Sequence, residues 1–349
     1  MLVALGDQIG NTYLEAQQKA GNFAPLPVSV GDLFAGALVP GLVLVALYAA
    51  WLFFSLRPAR DAPPPPKPER VSRREVMTTF LPPALLILAV LGSILGGVAT
   101  ATEAAGLGAI GALLLAAFAA TANRTERALI VATGLAAFLL VALQMAGLGR
   151  ATGNSVAGLF AIAAAILIAL GTITAGARLW RTGTLASATI ETVKVSGMVF
   201  GIVVAASLLS LVFRGFGGDH LVTELLAHLP GGHVAALAII MLLVFFLGFI
   251  LEAVEIIYVV VPLLGPAVLG SDISPVWFGV LMAMNLQTSF LTPPFGFALF
   301  YFRSAAPRSI STGDIYRGVI PFVILQLLAL AILAAFPPLA TWLPHVIFG

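Results

Sequence analysis

Apolar residues occur along this chain in long continuous runs rather than in alternation with polar ones. A helix needs about 20 mostly apolar residues to cross the hydrocarbon core of a bilayer, and most of the runs have that length. Continuous runs also exclude a transmembrane β-barrel, whose strands alternate apolar and polar positions. The pattern predicts membrane-spanning helices at residues about 34–56, 80–98, 104–121, 128–148, 157–177, 195–213 and 317–336.

Three further runs are shorter or interrupted. A helix over the 14 residues of the run at 256–269 would be about 21 Å long, less than the roughly 30 Å core. With the preceding run at 234–251 it predicts a re-entrant hairpin, whose tip is Leu251–Ile256. Two separate crossings by these runs would fit the charge pattern equally well. The hairpin is favoured because the second run is too short to span the core. The run at 277–302 predicts a crossing helix that is broken near its middle at Pro293 and Pro294.

Composition agrees with a membrane protein. Hydrophobic residues make up 60% of the 349 positions and charged residues 9%, whereas soluble proteins have about 25% charged residues. The absence of cysteine excludes disulfides and thiolate chemistry. The net charge of +2 is too small to indicate a nucleic-acid partner. These features predict an all-α polytopic protein embedded in a lipid bilayer.

Basic residues predict the orientation. Residues 57–79 form a proline-rich, basic linker, which the positive-inside rule places in the cytoplasm. When the spans are counted from this linker, Arg124 and Arg127 lie on the cytoplasmic side, as do Arg178 and Arg181. The predicted topology therefore has its basic connections on one face of the membrane.

The sequence contains a short internal repeat. Residues 29–36 read SVGDLFAG and residues 311–318 read STGDIYRG, and each stretch leads into a long apolar span. In the predicted topology these two spans run in opposite directions, which is typical of the inverted repeats of secondary transporters. A hairpin and a broken helix precede only the second copy, so the first repeat is predicted to be incomplete and the chain to be truncated at its N-terminal end.

Polar residues cluster where the run at 277–302 is broken. Pro293 and Pro294 lack an N–H, so carbonyls near Ser289 and Phe290 should be left free, and lipid tolerates this only beside a cavity. Uncharged oxygens suit Na⁺, while hydroxyl and amide donors suit a substrate carboxylate, which the half-helix N-terminus would also favour. The alternative is a proline kink with Ser/Thr back-bonding. The predicted site residues are Asn285, Gln287, Thr288, Ser289, Thr292, Pro293 and Gly296, with Ser289 and Thr292 as Na⁺ ligands.

Two carboxylates lie at the predicted hairpin tip. Glu252 and Glu255 are three residues apart and would share a helix face, where they could bind the coupling cation or relay a proton. Alternatively, both lie at the membrane surface. Thr100 and Glu103 have capping-box spacing at the start of a span. Neither metal-ligand spacing nor a nucleophile–base pair is visible, so no enzyme activity and no cofactor other than Na⁺ are predicted.

Several stretches resemble one family. They are N-L-x-x-x-x-L-T-P-P-x-G at Asn285–Gly296, SDISPVWFGV at Ser271–Val280, TATEAAGLGAIGALLL from Thr100 and SVGDLFAGALVPGLVLV from Ser29. Together they resemble the large membrane subunit of tripartite ATP-independent periplasmic (TRAP) transporters. The resemblance implies an elevator-type, Na⁺-coupled permease of the bacterial inner membrane. It also implies a small four-helix membrane subunit and a periplasmic substrate-binding protein as partners.

The resemblance also has departures. The family's first hairpin and its I-P-P motif would lie before residue 1. Two spans that many relatives lack lie at about 128–177, so the predicted organisation is the end of the first repeat at 1–56, the linker at 57–79 and the second repeat with this insertion at 80–349. Many relatives carry Asp at the position of Glu252 and Glu at the position of Gln287. The stretch NLQTSF…PPFGFALFYFRS, which contains Gln287, is similar to the branch assigned to 2-oxo acids, mannitol and chloroaromatic acids.

The function expected from these features is import of a small organic acid, coupled to Na⁺. Two alternatives remain open at the level of sequence. One is a proton-coupled secondary carrier of another family that uses Glu252 and Glu255 as the relay. The other is an inactive fragment or an assembly scaffold.

Overall fold

The computed structural model describes residues 1–55, 72–145, 156–292, 297–307 and 310–349. All regular structure in these ranges is helical, and seven helices are long and apolar enough to cross a membrane. The predicted all-helical polytopic fold is therefore confirmed. The proline run at 63–66 lies outside the described residues.

The described residues form helices of very different lengths. In chain order they are α1 (Leu2–Lys19), α2 (Val30–Ser55), α3 (Arg73–Thr79), α4 (Leu81–Leu95), α5 (Ala101–Ala120), α6 (Arg124–Met145), α7 (Val156–Arg181), α8 (Thr184–Gly215), α9 (Gly218–Ala227), α10 (Gly232–Leu247), α11 (Ala253–Glu255), a π-helical turn (Ile256–Val260), α12 (Val261–Leu264), α13 (Pro266–Leu269), α14 (Pro275–Ser289), α15 (Phe297–Ala305), α16 (Thr312–Ala335) and α17 (Pro338–Phe348). The chain divides into two compact units, one comprising Met1–Ala59 with Gly197–Gly349 and the other comprising Arg60–Ser196.

Four of the described helices were not predicted from the apolar runs: α1, α3, α9 and α17. Helix α1 is amphipathic, with polar residues such as Asp7 and Asn11 beside the fully buried Leu5 and Ile9. A helix of this kind buries one stripe against a protein core rather than facing lipid on all sides. Its polar positions interrupt the apolar run, so a search for membrane spans does not find it.

Helix α14 lies at the centre of the first unit. Every residue from Phe278 to Leu286 is buried, and α1, α2, α10, α16 and α17 pack around the helix. Gly279 permits this close packing, because a Cβ there would lie 2.9 Å from both Ile9 Cδ1 and Leu33 Cδ2. The central helix is thus fixed from all sides up to the point where it breaks.

The two copies of the short repeat begin their helices with the same hydrogen bonds. At the start of α2, Ser29 N donates to Asp32 Oδ2 (2.7 Å) and Asp32 N donates to Ser29 Oγ (3.1 Å). At the start of α16, Ser311 N donates to Asp314 Oδ2 (3.2 Å) and Asp314 N donates to Ser311 Oγ (3.1 Å). Each is a capping box, in which side chain and backbone satisfy each other's free N–H groups.

Helices α2 and α16 run antiparallel. Near the start of α2, a Cβ on Gly36 would come within 2.8 Å of the carbonyl oxygen of Ala340, just beyond the end of α16. Further along α2, the ring of Tyr48 meets that of Phe322, in the first half of α16, edge to face at 5.1 Å. The spans that follow the two repeat copies therefore have opposite directions.

The second unit consists of α3 to α7 and the beginning of α8. Helices α4 to α7 pack on one another, and α5 begins with the predicted capping box. Thr100 N donates to Glu103 Oε2 (2.8 Å), and Glu103 N donates to Thr100 Oγ1 (3.3 Å). Both polar groups are used by the cap, which explains this motif without a ligand.

Candidate functional site

The predicted hairpin has the expected shape. Helix α10 ends at Leu247, a turn follows over residues 248–252, and the returning arm packs on α10 through α13 and the π-helical turn. The returning arm is segmented because Pro262 and Pro266 cannot supply the N–H groups of a regular helix. The π-helical turn lies directly before the first of these prolines and widens the backbone there.

The predicted break within the run at 277–302 is also confirmed. Helix α14 ends at Ser289 and α15 begins at Phe297. The chain tightens after α14, because Leu291 N donates to Thr288 O (3.2 Å) and Thr292 N donates to Ser289 O (3.3 Å), three residues back in each case. The predicted site residues Pro293 and Gly296 lie outside the described residues.

The hairpin turn and the helix break are in direct contact. A Cβ on Gly248, the first residue of the turn, would lie 2.8 Å from Ser289 Cβ and 3.0 Å from Ser289 Oγ. The glycine has helical backbone angles (φ −61°, ψ −14°), so its role is close approach rather than an unusual conformation. Two segments that the sequence marks as irregular thus meet at one point.

Asn285 joins the same two elements deeper in the unit. Its side chain is 1% exposed, and its Nδ2 donates to the carbonyl oxygen of Met241 in α10 (2.6 Å). Its Oδ1 atom is also buried and has no hydrogen-bond partner among the described residues. A buried amide oxygen with free lone pairs is costly unless something binds it, so Oδ1 is available to a cation or to a donor group.

Three hydroxyl groups line the end of α14, and each donates to the backbone. Thr288 Oγ1 donates to Met284 O (3.1 Å), Ser289 Oγ donates to Leu286 O (2.5 Å), and Thr292 Oγ1 lies 3.1 Å from Thr288 O and 3.3 Å from Ser289 O. This is the back-bonding of the kink interpretation. A hydroxyl that donates its proton retains oxygen lone pairs, so the same hydroxyls can still be ligands of a cation.

The prediction of free carbonyls near Ser289 and Phe290 is wrong. Ser289 O accepts from Thr292 N (3.3 Å), and Phe290 O accepts from Ala298 N (3.3 Å) in the next helix. The tightened turn and the first turn of α15 supply the donors that the prolines lack. The oxygens available at the break are therefore side-chain oxygens, not these two carbonyls.

The remaining predicted residues make no hydrogen bond to this cluster through a described side chain. Gln287 is exposed, whereas Thr288 beside it is fully buried. Glu252 and Glu255 are half-buried at the end of the turn, where Glu255 Oε2 accepts from Glu252 N (3.1 Å) and caps the returning arm. Within the described part of the chain neither carboxylate forms an ion pair.

Sequence reasoning missed two members of the site. Gly248 supplies the close contact, and the carbonyl of Met241 holds Asn285. A glycine at the end of the apolar run LLVFFLGF is a signal for close backbone approach that could have identified Gly248. No sequence signal marks a backbone acceptor in the middle of a helix such as Met241.

Comparison with known proteins identifies the family. The family model described as "Tripartite ATP-independent periplasmic transporter, DctM component" matches residues 22–149 and 120–339. The C4-dicarboxylate TRAP transporter large permease protein DctM of Vibrio cholerae is 23% identical over 330 residues, covering 92% of this chain and 62% of the relative. The ectoine TRAP transporter large permease protein TeaC of Halomonas elongata is 24% identical over 330 residues, covering 92% and 61%.

A third relative matches a shorter part of the chain. The sialic acid TRAP transporter permease protein SiaT of Haemophilus influenzae is 27% identical over 164 residues, which cover 47% of this chain and 26% of that protein. The chain thus spans between 26% and 62% of the length of these three relatives. With its family match and the seven apolar helices among its described residues, the chain belongs to the DctM component family of TRAP transporters and is a multi-pass protein of the inner membrane.

Proposed function

We propose that this chain is the large permease subunit of a TRAP transporter and that it imports a small organic acid with Na⁺. The observation that carries the proposal is the contact between the hairpin turn at Gly248 and the helix break at Ser289. In transporters, broken helices that meet at such a point supply helix ends and side chains to substrate and ion. Family membership supports the same assignment.

The coupling ion is assigned to the hydroxyl oxygens at the break. Ser289 Oγ and Thr292 Oγ1 both direct their protons to backbone carbonyls, which leaves their lone pairs for a hard cation. Asn285 Oδ1, buried and unpartnered among the described residues, is a further uncharged oxygen in α14. Neutral oxygen ligands suit a monovalent ion because little charge has to be desolvated.

The substrate is assigned to the class of small carboxylates. Helix α15 follows the break and directs its N-terminal end toward the break, and a helix N-terminus stabilises an anion. Gln287 and Thr288 add amide and hydroxyl groups that can bind a carboxylate. Relatives named for C4-dicarboxylates and for sialic acid also have acidic substrates. Gln287, where many relatives carry a carboxylate, favours the branch assigned to 2-oxo acids, mannitol and chloroaromatic acids.

The proposed architecture is an inverted-repeat elevator. The antiparallel α2 and α16, with their identical capping boxes, support two related halves, with 1–56 as the end of the first and 80–349 as the second. The two spans at 128–177 would be an insertion in the second half. A small four-helix membrane subunit and a periplasmic substrate-binding protein would complete the transporter.

Uptake into proteoliposomes tests the proposal. The chain is reconstituted with a small membrane subunit and a binding protein from the same transport system, and labelled 2-oxo acids, C4-dicarboxylates and sialic acid are supplied outside. We expect uptake driven by an inward Na⁺ gradient at constant pH. Uptake that follows a pH gradient and ignores Na⁺ would instead support proton coupling through Glu252 and Glu255.

A matched pair of variants separates the site from the scaffold. Asn285→Asp keeps the size of the side chain but changes its charge and hydrogen bonding, and we expect uptake to be lost with the protein still folded. Gln17→Glu makes the same kind of change at another amide whose nitrogen donates to a backbone carbonyl, that of Leu269, at the base of the hairpin rather than at its turn. Equal loss of uptake in the two variants, or uptake by neither wild type nor variants under any gradient, would overturn the proposed site.

A further inference from the structure

A cavity lies at one end of α5, α6 and α7, in the unit formed by residues 60–196. Its volume is about 240 Å³. Thr121 directly follows α5, Glu126 lies in the first turn of α6, and Arg178 and Arg181 lie in the last turn of α7. The cavity is therefore walled by helix ends and contains two arginines and one glutamate.

The cavity lies at the depth of lipid headgroups. The three helices are candidate membrane spans, so their ends lie at the membrane surface. Trp180, which is 67% exposed beside the arginines, is typical of that interface. The cavity also extends along the helices toward the membrane interior. At the rise of a helix, Leu129 lies about 4.5 Å deeper than Glu126 in α6, and Thr174 lies about 6 Å deeper than Arg178 in α7.

The arginines are not neutralised by the protein. Arg178 Nη2 lies 3.4 Å from the carbonyl oxygen of Ala120, and Arg178 Nε is buried without a hydrogen-bond partner among the described residues. Neither Arg178 nor Arg181 forms an ion pair with a described residue. Glu126 Oε2 instead accepts from Thr121 Oγ1 (2.9 Å).

The position of the arginines alone has a simpler explanation. Arginines at the C-terminal end of a helix complement its dipole, and basic residues collect on the cytoplasmic side of membrane proteins. Neither effect accounts for a cavity lined by both arginines or for a buried Nε–H that has no acceptor among the described residues. Those two features fit a ligand with acceptor oxygens.

We propose that this cavity binds the phosphate headgroup of an anionic phospholipid, for which phosphatidylglycerol has the matching chemistry. Arg178 and Arg181 donate to the phosphate oxygens, and Glu126 accepts from a glycerol hydroxyl. A lipid is favoured over a soluble anion because the charged wall lies at the interface and the wall becomes apolar toward the membrane interior, at Leu129 and Ile130. None of the residues that line this cavity belongs to the hairpin or the helix break proposed for transport.

Lipid titration of the delipidated full chain in detergent tests this inference. Native mass spectrometry measures the affinity for phosphatidylglycerol and phosphatidylcholine, and inorganic phosphate serves as the soluble competitor. We expect Arg178→Ala and Arg181→Ala each to weaken phosphatidylglycerol binding about tenfold or more, since each removes charged hydrogen bonds. Arg124→Ala, which removes the same charge from the start of α6 but not from the cavity wall, should weaken it about fivefold or less.

A second variant tests the cavity rather than the charge. Ala177 is an exposed residue that lines the cavity, and Ala177→Phe should fill it and weaken phosphatidylglycerol binding while all arginines stay in place. Arg181 is exposed, so Arg181→Ala remains informative if Arg178→Ala does not fold. Equal effects of Arg124→Ala and Arg181→Ala, no effect of Ala177→Phe, or full displacement of the lipid by equimolar inorganic phosphate would each overturn the proposal.

Discussion

The contact between Gly248 and Ser289 makes a prediction of defined sign and size. In Gly248→Ala the new Cβ would lie 2.8 Å from Ser289 Cβ, and the two segments must separate by about 0.6 Å to reach ordinary contact at 3.4 Å. Overpacking of this kind costs about 1–3 kcal/mol. The backbone angles at Gly248 allow alanine, so the cost arises from the contact alone.

A matched glycine should respond in the opposite direction. Gly201 lies in α8, and nothing lies within 4 Å of a Cβ placed there. Because alanine favours a helix by up to about 1 kcal/mol over glycine, Gly201→Ala should stabilise the protein. The assay is the free energy of unfolding of each purified variant in the same detergent, measured together with Na⁺-driven uptake.

A double variant isolates the contact itself. Ser289→Gly removes the atoms that oppose the new methyl group, so Gly248→Ala combined with Ser289→Gly should recover about 1 kcal/mol or more beyond the sum of the single changes. Uptake should fall in Gly248→Ala, whereas the double variant is compared by its unfolding free energy alone, because Ser289→Gly also removes a proposed Na⁺ ligand. Additive single effects, or a Gly248→Ala protein as stable as Gly201→Ala, would show that turn and break do not touch.

Three further outcomes are expected. Ser289→Ala and Thr292→Ala should each raise the Na⁺ concentration for half-maximal uptake about tenfold or more, with unfolding free energies within about 1 kcal/mol of wild type; unchanged Na⁺ dependence would place the ion elsewhere. Desolvation raises the pKa of Asp219, but the Lys19 hydrogen bond (3.3 Å), the backbone N–H of His220 and the charges of both residues together outweigh it and hold the pKa below its ordinary value. The stability that this carboxylate contributes is therefore present at neutral pH and lost progressively below about pH 4; Lys19→Met should reduce that pH dependence, worth under about 1 kcal/mol. Thr100→Ala should lower the unfolding free energy by about 1 kcal/mol without changing uptake, and Thr100→Ser should restore the unfolding free energy. If Thr100→Ala instead abolished uptake of a substrate, Thr100 would have a role in binding a ligand.

The spans could be predicted from sequence because lipid selects for apolar residues on every face of a helix. Helices α2, α4 to α8 and α16 therefore appear as continuous runs, and their ends shift by a few residues except at the start of α8, which begins at Thr184 instead of the predicted 195. The helix break was equally readable, since two adjacent prolines exclude a regular helix. These are local signals, and they need no knowledge of packing.

Helices that pack inside the protein were harder to predict. Helix α1 reaches the core through Leu5 and Ile9, and Gln17 Nε2 donates to the carbonyl oxygen of Leu269 at the base of the hairpin (3.0 Å). These contacts join positions more than two hundred residues apart in the chain, as Gln17 and Leu269 illustrate. Sequence periodicity reports the polar face of such a helix but not the surface that it covers.

The candidate site also shows why a kink and a binding site could not be separated as alternatives. The sequence offered Ser289 and Thr292 either as back-bonded hydroxyls or as ion ligands, and the structure places both hydroxyls against backbone carbonyls. Donation fixes each hydroxyl proton on the helix and leaves oxygen lone pairs free, so back-bonding prepares an oxygen to accept a cation rather than preventing it. Asn285 is arranged in the same way, with its amide nitrogen bound to Met241 O and its oxygen unpartnered within the described chain. Asn285 and Ser289 in α14 and Thr292 just beyond its end thus donate to backbone carbonyls and keep acceptor oxygens, which is the arrangement that the proposed Na⁺ site requires.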